Sequence, residues 1–550
     1  MSNNLLRSFL GAVSSGILLT LCFPSILYPG YNLFQSLLIW IALVPLFWAI
    51  DHKSPIGSFL IGLLSGFLWF MGLLYWVADF SHGINSLYIS NWLLLSLYSA
   101  LFVGLFGFLA NFLINSGWSD ILVLPTVWVL WEFLRSMFTF GHPWGFLAHT
   151  LHNRLFLLPP ATTTGLFGLS YLIVIVNALV FKGVKRIFLG PNHPPTLSEY
   201  LNLRPVYSFN KPFLLSLNLI LALLIGLSYS GKASPAPVSR HKIKVAVIQG
   251  NRDTQQEWDE DYKTQTLSTF LKLTDSALAE NPELVIWPES AFPGILTSHE
   301  DYLRAEMVFD YVQKNRINLI LPSDEREYQK DRARYYNTIF YITHSGELSR
   351  YRKIRLVPFG EYVPRLFSLT HDKAIQQPFS EDYEFGRELT LFNINGVVFN
   401  CLICYEDATE NLYRKFIKKG SQFVIVSAND SWGGRTALAY QRNAMTVFLA
   451  VQCRRYVIRA NMRGITSIIG PSGKVINSLV PFQEDFLTAE IEPLEGLTFF
   501  AKYGHLFGWM ITVLVLCMLV LSLWVRQRRE SVSTNWKEEL PPGPYGCSQF

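Results

Sequence analysis

Charge is scarce in this sequence. Asp, Glu, Lys and Arg supply 16% of its 550 residues against 50% hydrophobic ones, too little to clothe a purely water-facing protein of this length. The deficit is local. Residues 1–230 and 507–525 hold long uncharged runs, whereas 242–495 mixes charged and apolar residues as a soluble domain does. The formal charge of +5 is small, and Lys and Arg do not gather into a basic, aromatic-interleaved surface, so nucleic acid is excluded as a partner. Cysteine is sparse too. The six present (Cys22, Cys401, Cys404, Cys453, Cys517 and Cys547) imply no disulfide framework, and Cys22 and Cys517 sit in apolar runs as small packing residues. No small-residue cleavage site follows the first apolar run before Pro24, so that run reads as a retained helix and not as a signal peptide.

What is there falls into two solvents. Stretches long enough to cross a bilayer, which takes about 20 residues, occur near 6–25, 32–50, 55–78, 91–114, 119–138, 164–181, 212–230 and 507–525, giving eight expected spans. Taken alternately, one set of loops carries Arg7, Lys53, Lys182, Lys185, Arg186, Arg204, Lys211, Arg526, Arg528, Arg529 and Lys537, while the short loops of the other set carry Arg154 alone. The excess of positive charge makes the first set cytoplasmic. Expected domains are a seven-helix membrane part over 1–235, an extracytoplasmic domain over 242–495, an eighth helix over 507–526 and a cytoplasmic tail over 527–550, disordered beyond 530; both termini are then cytoplasmic. Within the fifth span Glu132 and Arg135 are i, i+3 neighbours that either neutralise each other or line a polar cavity, and the outward loop Gly141-His-Pro-Trp-Gly145 is a candidate floor for a site.

In the soluble part, Lys244-Val-Ala-Val-Ile-Gln249 and Glu283-Leu-Val-Ile-Trp287 read as buried strands around a helix at about 260–280, with further strands at 317–321, 337–343, 397–404, 422–427 and 465–469. This alternation predicts an α/β domain of two packed sheets with outer helices. Cys401 and Cys404 share a C-x-x-C spacing, but in one strand their thiols would face opposite ways roughly 10 Å apart, beyond disulfide reach.

Three segments end strands with an ionisable residue beside Pro or Gly, where α/β sheets place their chemistry. They are Trp287-Pro-Glu-Ser290, Lys353-Ile-Arg-Leu-Val-Pro-Phe-Gly-Glu-Tyr-Val-Pro364 and Ile403-Cys-Tyr-Glu-Asp407. A cysteine attacks an acyl carbon as thiolate; a carboxylate can take its proton and an ammonium can hold the charge that results. Glu289, Lys353 and Cys404 supply those three groups, and the backbone N–H of Tyr405 is placed to help hold an oxyanion.

These blocks, in this order, resemble the Glu-Lys-Cys motifs of the nitrilase (carbon–nitrogen hydrolase) superfamily. A nitrilase-like domain after seven spans and before one more is similar to the bacterial apolipoprotein N-acyltransferase family, over nearly the whole chain. The resemblance implies an αββα sandwich and a ping-pong reaction at the outer face of the inner membrane, with no cofactor and no metal, by a chain acting as a monomer. A phospholipid would donate an acyl chain to Cys404 as a thioester, and the amine of a lipoprotein's diacylglyceryl-cysteine would accept it. It makes Glu289 the base, Lys353 the oxyanion lysine, Glu361 a second essential glutamate, and Trp258, Tyr405 and Glu406 supporting residues. Departures fall after these motifs: Ser431-Trp-Gly-Gly434 lacks the usual aromatic, Leu449, Gln452 and Met462 replace Arg, Glu and Asn, and Arg355 stands where histidine is common. Arg365-Leu-Phe-Ser-Leu369 is a candidate lid at the lipid interface. Two rivals stand beside this reading: a membrane-anchored amidase in which water resolves the Cys404 intermediate, and a transporter or scaffold carrying an inactive hydrolase domain.

Overall fold

The computed structural model describes residues 3–30, 33–79, 86–137, 142–189, 236–237, 242–253, 260–329, 332–358, 360–363 and 383–539. Among the described residues four helices, Pro55–Leu73, Tyr88–Asn115, Leu166–Ile187 and Leu506–Arg528, are long and apolar enough to cross a membrane, and a shorter apolar helix covers Leu5–Leu21. The stretch 32–50 is not the single helix expected: it forms two short ones, Gln35–Leu38 and Val44–Ile50. Pro45 opens the second and has no N–H to continue a ladder. The Asn177 amide fills the gap, accepting from Leu43 N and donating to Ile39 O, both at 2.9 Å, as a break in apolar surroundings requires. The stretch 212–230 lies outside the described residues. The last helix runs from Leu506 to Glu539, so the disordered tail expected beyond 530 is helical for nine residues more; the first breaker is Pro541.

Small residues bring the long helices together. Ser58, Gly62 and Gly66 of the Pro55–Leu73 helix meet Val103, Gly104 and Gly107 of the next, and a Cβ at Gly62 would stand 2.4 Å from Val103 O. The two ends of the bundle differ. At one end Lys185 pairs with Asp51 at 2.8 Å, Lys182 pairs with Asp120 at 2.6 Å, and Arg7 lies over Trp48. At the other end, where the Pro55–Leu73 helix finishes, the bundle meets the α/β domain.

That domain holds two six-stranded sheets. Ala236–Pro237 (β1) pairs with Leu494–Glu495 (β14). The first sheet contains Ile243–Gln249 (β2), Leu284–Ile286 (β3), Asn318–Gln329 (β4), Arg332–Ile342 (β5), Leu348–Arg352 (β6) and Asp485–Ile491 (β13), in the order β13-β2-β3-β4-β5-β6. The second contains Phe392–Ile394 (β7), Val397–Ile403 (β8), Phe423–Ala428 (β9), Tyr456–Asn461 (β10), Ser467–Ile469 (β11) and Val475–Ser478 (β12), in the order β12-β11-β10-β9-β8-β7. Strand alternation sets the layers. Val245 and Val247 of β2 join Phe399, Cys401 and Ile403 of β8 in one core, while Ala246 and Ile248 pack with Phe270 and Val308 of the helices Glu260–Leu278 and Tyr302–Asn315. The helices Glu410–Lys418 and Leu438–Cys453 bring Tyr413, Phe416 and Val447 to the second sheet's core.

One amide joins the two parts. Gln441, buried in the Leu438–Cys453 helix, accepts from Trp76 Nε1 (3.1 Å) and Trp144 Nε1 (2.6 Å) and donates to Pro24 O (2.5 Å) and Leu73 O (2.9 Å). Ala437 N donates to Tyr75 Oη nearby at 3.0 Å. Glu132 and Arg135 are not bonded to each other. Glu132 accepts from Leu147 N at 2.9 Å and Trp128 Nε1 at 3.0 Å, and Arg135 donates to Trp144 O at 2.6 Å between the rings of Phe70 and Phe146. The membrane charges thus fix the 144–147 loop, and the loop's Trp144 grips Gln441.

Gln441→Leu leaves two indole N–H groups and two carbonyls without their partner, and each buried orphan costs about 1–3 kcal/mol. The variant should unfold at a visibly lower temperature in detergent; an unchanged melting midpoint would contradict this account of the junction.

Candidate active site

Three strand ends meet here. After β3, Trp287 is locked by its indole N–H to Thr274 Oγ1 at 3.0 Å and by the Phe270 ring, and the chain then turns through Ser290 at φ 63°. That turn delivers Glu289. After β6, Lys353 N still donates to Asn337 O at 2.9 Å, so the lysine side chain enters the interior on a strand-like backbone and is 1% exposed. After β8, Cys404 takes φ 48° and opens a 3-10 turn. A left-handed conformation at a residue with a Cβ costs about 1–3 kcal/mol and persists only where its surroundings impose it.

Lys353 Nζ donates to Glu361 Oε1 at 2.7 Å and stands 3.7 Å from Glu289 Oε1. Asn337 Nδ2 bridges the two carboxylates, at 2.9 Å from Glu289 Oε1 and 3.1 Å from Glu361 Oε1. Glu289 Oε2 accepts from Asn429 N at 2.9 Å, and Glu361 Oε2 from Val357 N at 2.8 Å. Burial opposes the lysine's charge, but Glu361, Glu289 and Cys404 outweigh it and hold the ammonium well above its ordinary value. Burial, with Glu289, pushes the Cys404 thiol up to about 11, against the downward pull of Arg442 and Lys353. Glu289, Lys353 and Glu361 thus stand together, and Cys404 lies close enough to Glu289 and Lys353 to feel their charges.

Glu406 is fully buried and braces the elbow. Its Oε1 accepts from Ile354 N at 2.7 Å and Arg355 N at 3.0 Å, its Oε2 accepts from Ile403 N at 2.8 Å, and Tyr351 Oη donates to both at 2.9 Å. One carboxylate so ties the lysine's loop to the cysteine's. Burial pushes it up to about 7 against those N–H donors. Tyr405 follows Cys404 in the same turn and is half-buried. Cys401 lies within β8 and is fully buried, whereas Cys404 lies beyond the strand, so the two do not face away from each other within one strand as expected. Trp258 and the 365–369 segment lie outside the described residues.

Sequence reasoning missed a cation in direct contact with the cysteine. Arg442 Nη1 donates to Cys404 Sγ at 3.1 Å. Arg442 also pairs with Asp407 (2.8 Å) and Asp430 (3.1 Å), and Arg459 with the same Asp407 (2.5 Å) and Asp430 (2.8 Å), which closes a buried ring of four charges. The available signal was a polar triplet, Gln441-Arg442-Asn443, inside a largely apolar helix. The substituted positions are packing sites: Leu449 and Met462 are buried among apolar residues, and Gln452 donates to Glu410 Oε1 at 2.7 Å.

Two family models match the chain, one described as apolipoprotein N-acyltransferase N-terminal domain over residues 15–179 and one as carbon-nitrogen hydrolase over 244–495. The apolipoprotein N-acyltransferase of Geobacter metallireducens is 32% identical over 517 residues, 92% of this chain and 93% of that protein. Apolipoprotein N-acyltransferase 1 of Treponema denticola is 26% identical, covering 95% of this chain and 97% of that one. The apolipoprotein N-acyltransferase of Chlorobaculum tepidum is also 26% identical, with 92% and 95% covered.

Glu406→Gln turns an NH2 toward an N–H donor whichever way the amide is set. Loss of a charged acceptor shared by three N–H groups should cost about 2–3 kcal/mol of stability. Urea or thermal unfolding measures it, and a neutral substitution would show that Glu406 does not brace the elbow.

Proposed function

Because the chain belongs to the apolipoprotein N-acyltransferase family, acyltransferases that act on lipoproteins, we propose that it acylates lipoprotein N-termini by way of a thioester on Cys404. The carrying observation is the buried Glu289, Lys353 and Glu361 cluster beside Cys404, in a chain whose membrane part also matches the family. In the first half-reaction a Glu289 carboxylate oxygen takes the Sγ proton and the sulfur bonds to the acyl carbon of a phospholipid ester. The ester C–O bond breaks, and the departing glycerol oxygen takes from Glu289 the proton that left Sγ. Lys353 and the Tyr405 N–H hold the oxyanion between these events. In the second half-reaction the amine of a diacylglyceryl-cysteine attacks the thioester, forming the C–N bond as the C–S bond breaks, and its surplus proton returns to Cys404 through Glu289. Glu361 keeps the ammonium in place, Glu406 keeps the elbow, and Trp258 supports the site. Amide hydrolysis by the same groups is disfavoured, because the relatives match through the membrane helices as well as the hydrolase-like part.

For the membrane part the proposal is eight spans in the inner (plasma) membrane, with both termini cytoplasmic, the 242–495 domain outside and the protein a monomer. The polarity of the bundle supports it. Arg7, Lys182 and Lys185 gather at the end away from Gln441, with the positive charge on the side the cytoplasm should occupy. A lipid substrate also gives several helices a purpose that anchoring by one would not.

Cys404→Ala should abolish acyl transfer, and Cys401→Ala should leave most of it. With phospholipid, mass spectrometry should find a hydroxylamine-sensitive acyl adduct on the Cys404 peptide; equal loss in both variants, or turnover of an amide without an adduct, would overturn the assignment. A reporter fused after residue 230 should be active only outside the cytoplasm, and a cytoplasmic signal there would reverse the topology.

A further inference from the structure

The ring of charges behind the elbow does more than fill space. Resting on Cys404 as the acyl carrier, we infer that Arg442 is a further catalytic residue, the cation that takes up the negative charge on the Cys404 sulfur each time the thioester forms or is broken.

Geometry carries this. Arg442 Nη1 sits 3.1 Å from Sγ, while Lys353 Nζ is committed to Glu361 at 2.7 Å and lies toward Glu289 at 3.7 Å. The guanidinium is held before any chemistry begins. Asp407 and Asp430 each bind it and each also bind Arg459, and Asn461 donates to Asp430 at 2.6 Å. Such a preset donor costs no reorganisation when charge develops. Two arginines and two aspartates make the ring neutral, so it lends its field to the sulfur without leaving a spare buried charge when the sulfur is neutral. A guanidinium also keeps its proton at any pH the enzyme meets, so it can stabilise a thiolate without quenching it, which an ammonium near the sulfur would not guarantee. The proton bookkeeping stays with Glu289: the Sγ proton goes to its carboxylate and from there to the departing glycerol oxygen, and Arg442 exchanges none. When the acceptor amine displaces the sulfur, the electron pair of the broken C–S bond returns to Sγ against the same guanidinium.

The test follows the reactivity of the thiol itself. The full-length protein in detergent micelles is treated with iodoacetamide across pH, and modification of the Cys404 peptide is timed by mass spectrometry for the wild type, Arg442→Gln, Arg442→Lys and Arg455→Gln. An opposite charge this close is worth about one unit or more of thiol titration. Arg442→Gln should therefore alkylate about tenfold more slowly at pH 8 or slower still, Arg442→Lys should titrate within about one unit of the wild type, and Arg455→Gln, equally buried but bonded to the Ser421 and Gly496 carbonyls outside the ring, should change the rate less than about threefold. Wild-type alkylation in Arg442→Gln overturns the inference, as does an equal loss in Arg455→Gln. Should Arg442→Gln fail to fold, Arg442→Lys decides: a thiol titrating more than about one unit higher in a folded Lys variant overturns it. Alkylation needs no lipid, so these outcomes stand apart from whether phospholipid acylates Cys404.

Discussion

Gln441 has a side-chain amide with two N–H donors and one carbonyl oxygen, and in the interior all of them are used on the membrane part. Two tryptophan indoles donate to its oxygen and two backbone carbonyls accept from its nitrogen. The carbonyls of Pro24 and Leu73 end membrane segments, where unpaired backbone groups are costly away from water. The same amide therefore closes the bundle and seats the α/β domain upon it. No other side chain has the acceptor and donors to do both at this size. Its neighbour in sequence, Arg442, touches the Cys404 sulfur, so the position of that sulfur is set by reference to the bundle within two consecutive residues.

A second constraint acts from within the bundle. Glu132 and Arg135 would be expensive at membrane depth if left to themselves. Each makes a hydrogen bond with the 144–147 loop, one at Leu147 N and the other at Trp144 O, Glu132 also taking the Trp128 indole N–H, and Trp144 in turn holds Gln441. The charges thus lean on the loop's backbone, and the loop gains a fixed shape. A short chain of contacts, each a direct hydrogen bond or a peptide neighbour, runs from the interior of the bundle to the sulfur.

What could be read from the sequence was what is local. Glu361 came only with the family resemblance, whereas the three motifs end strands, and Glu289, Lys353 and Cys404 carry the residue types that acyl chemistry asks for, so those three could be picked out before any coordinates. Helix Glu260–Leu278 and the core strands β2, β3, β8 and β9 were legible for the same reason, since each alternates or runs apolar over its own length. The exposed strands were not: β12 is solvent-facing along all four residues and offers no pattern. The break at 39–43 was hidden because the residue that satisfies it, Asn177, lies far along the chain on another helix. Arg442 was hidden similarly. It sits on a helix that reads as apolar packing, and only the fold brings it to a sulfur 38 residues earlier in the sequence.

The resting state of the site follows from these charges. With the thiol pushed up to about 11 by burial and Glu289, the sulfur rests as the neutral thiol at pH 7. A standing thiolate beside a membrane would be open to oxidants, and the elbow avoids one by burial and by facing Glu289. In the proposed reaction the attacking sulfur is made when substrate is present, by a base already in place, and its charge is met by cations that do not move. Glu289 is fixed by Asn337 and Asn429 N, Lys353 by Glu361, and Arg442 by two aspartates. Each is held by a partner that takes no part in the bond changes. The cost of the strained Cys404 backbone is therefore borne once, in folding, by Glu406 and the charge ring, and not again in each turnover.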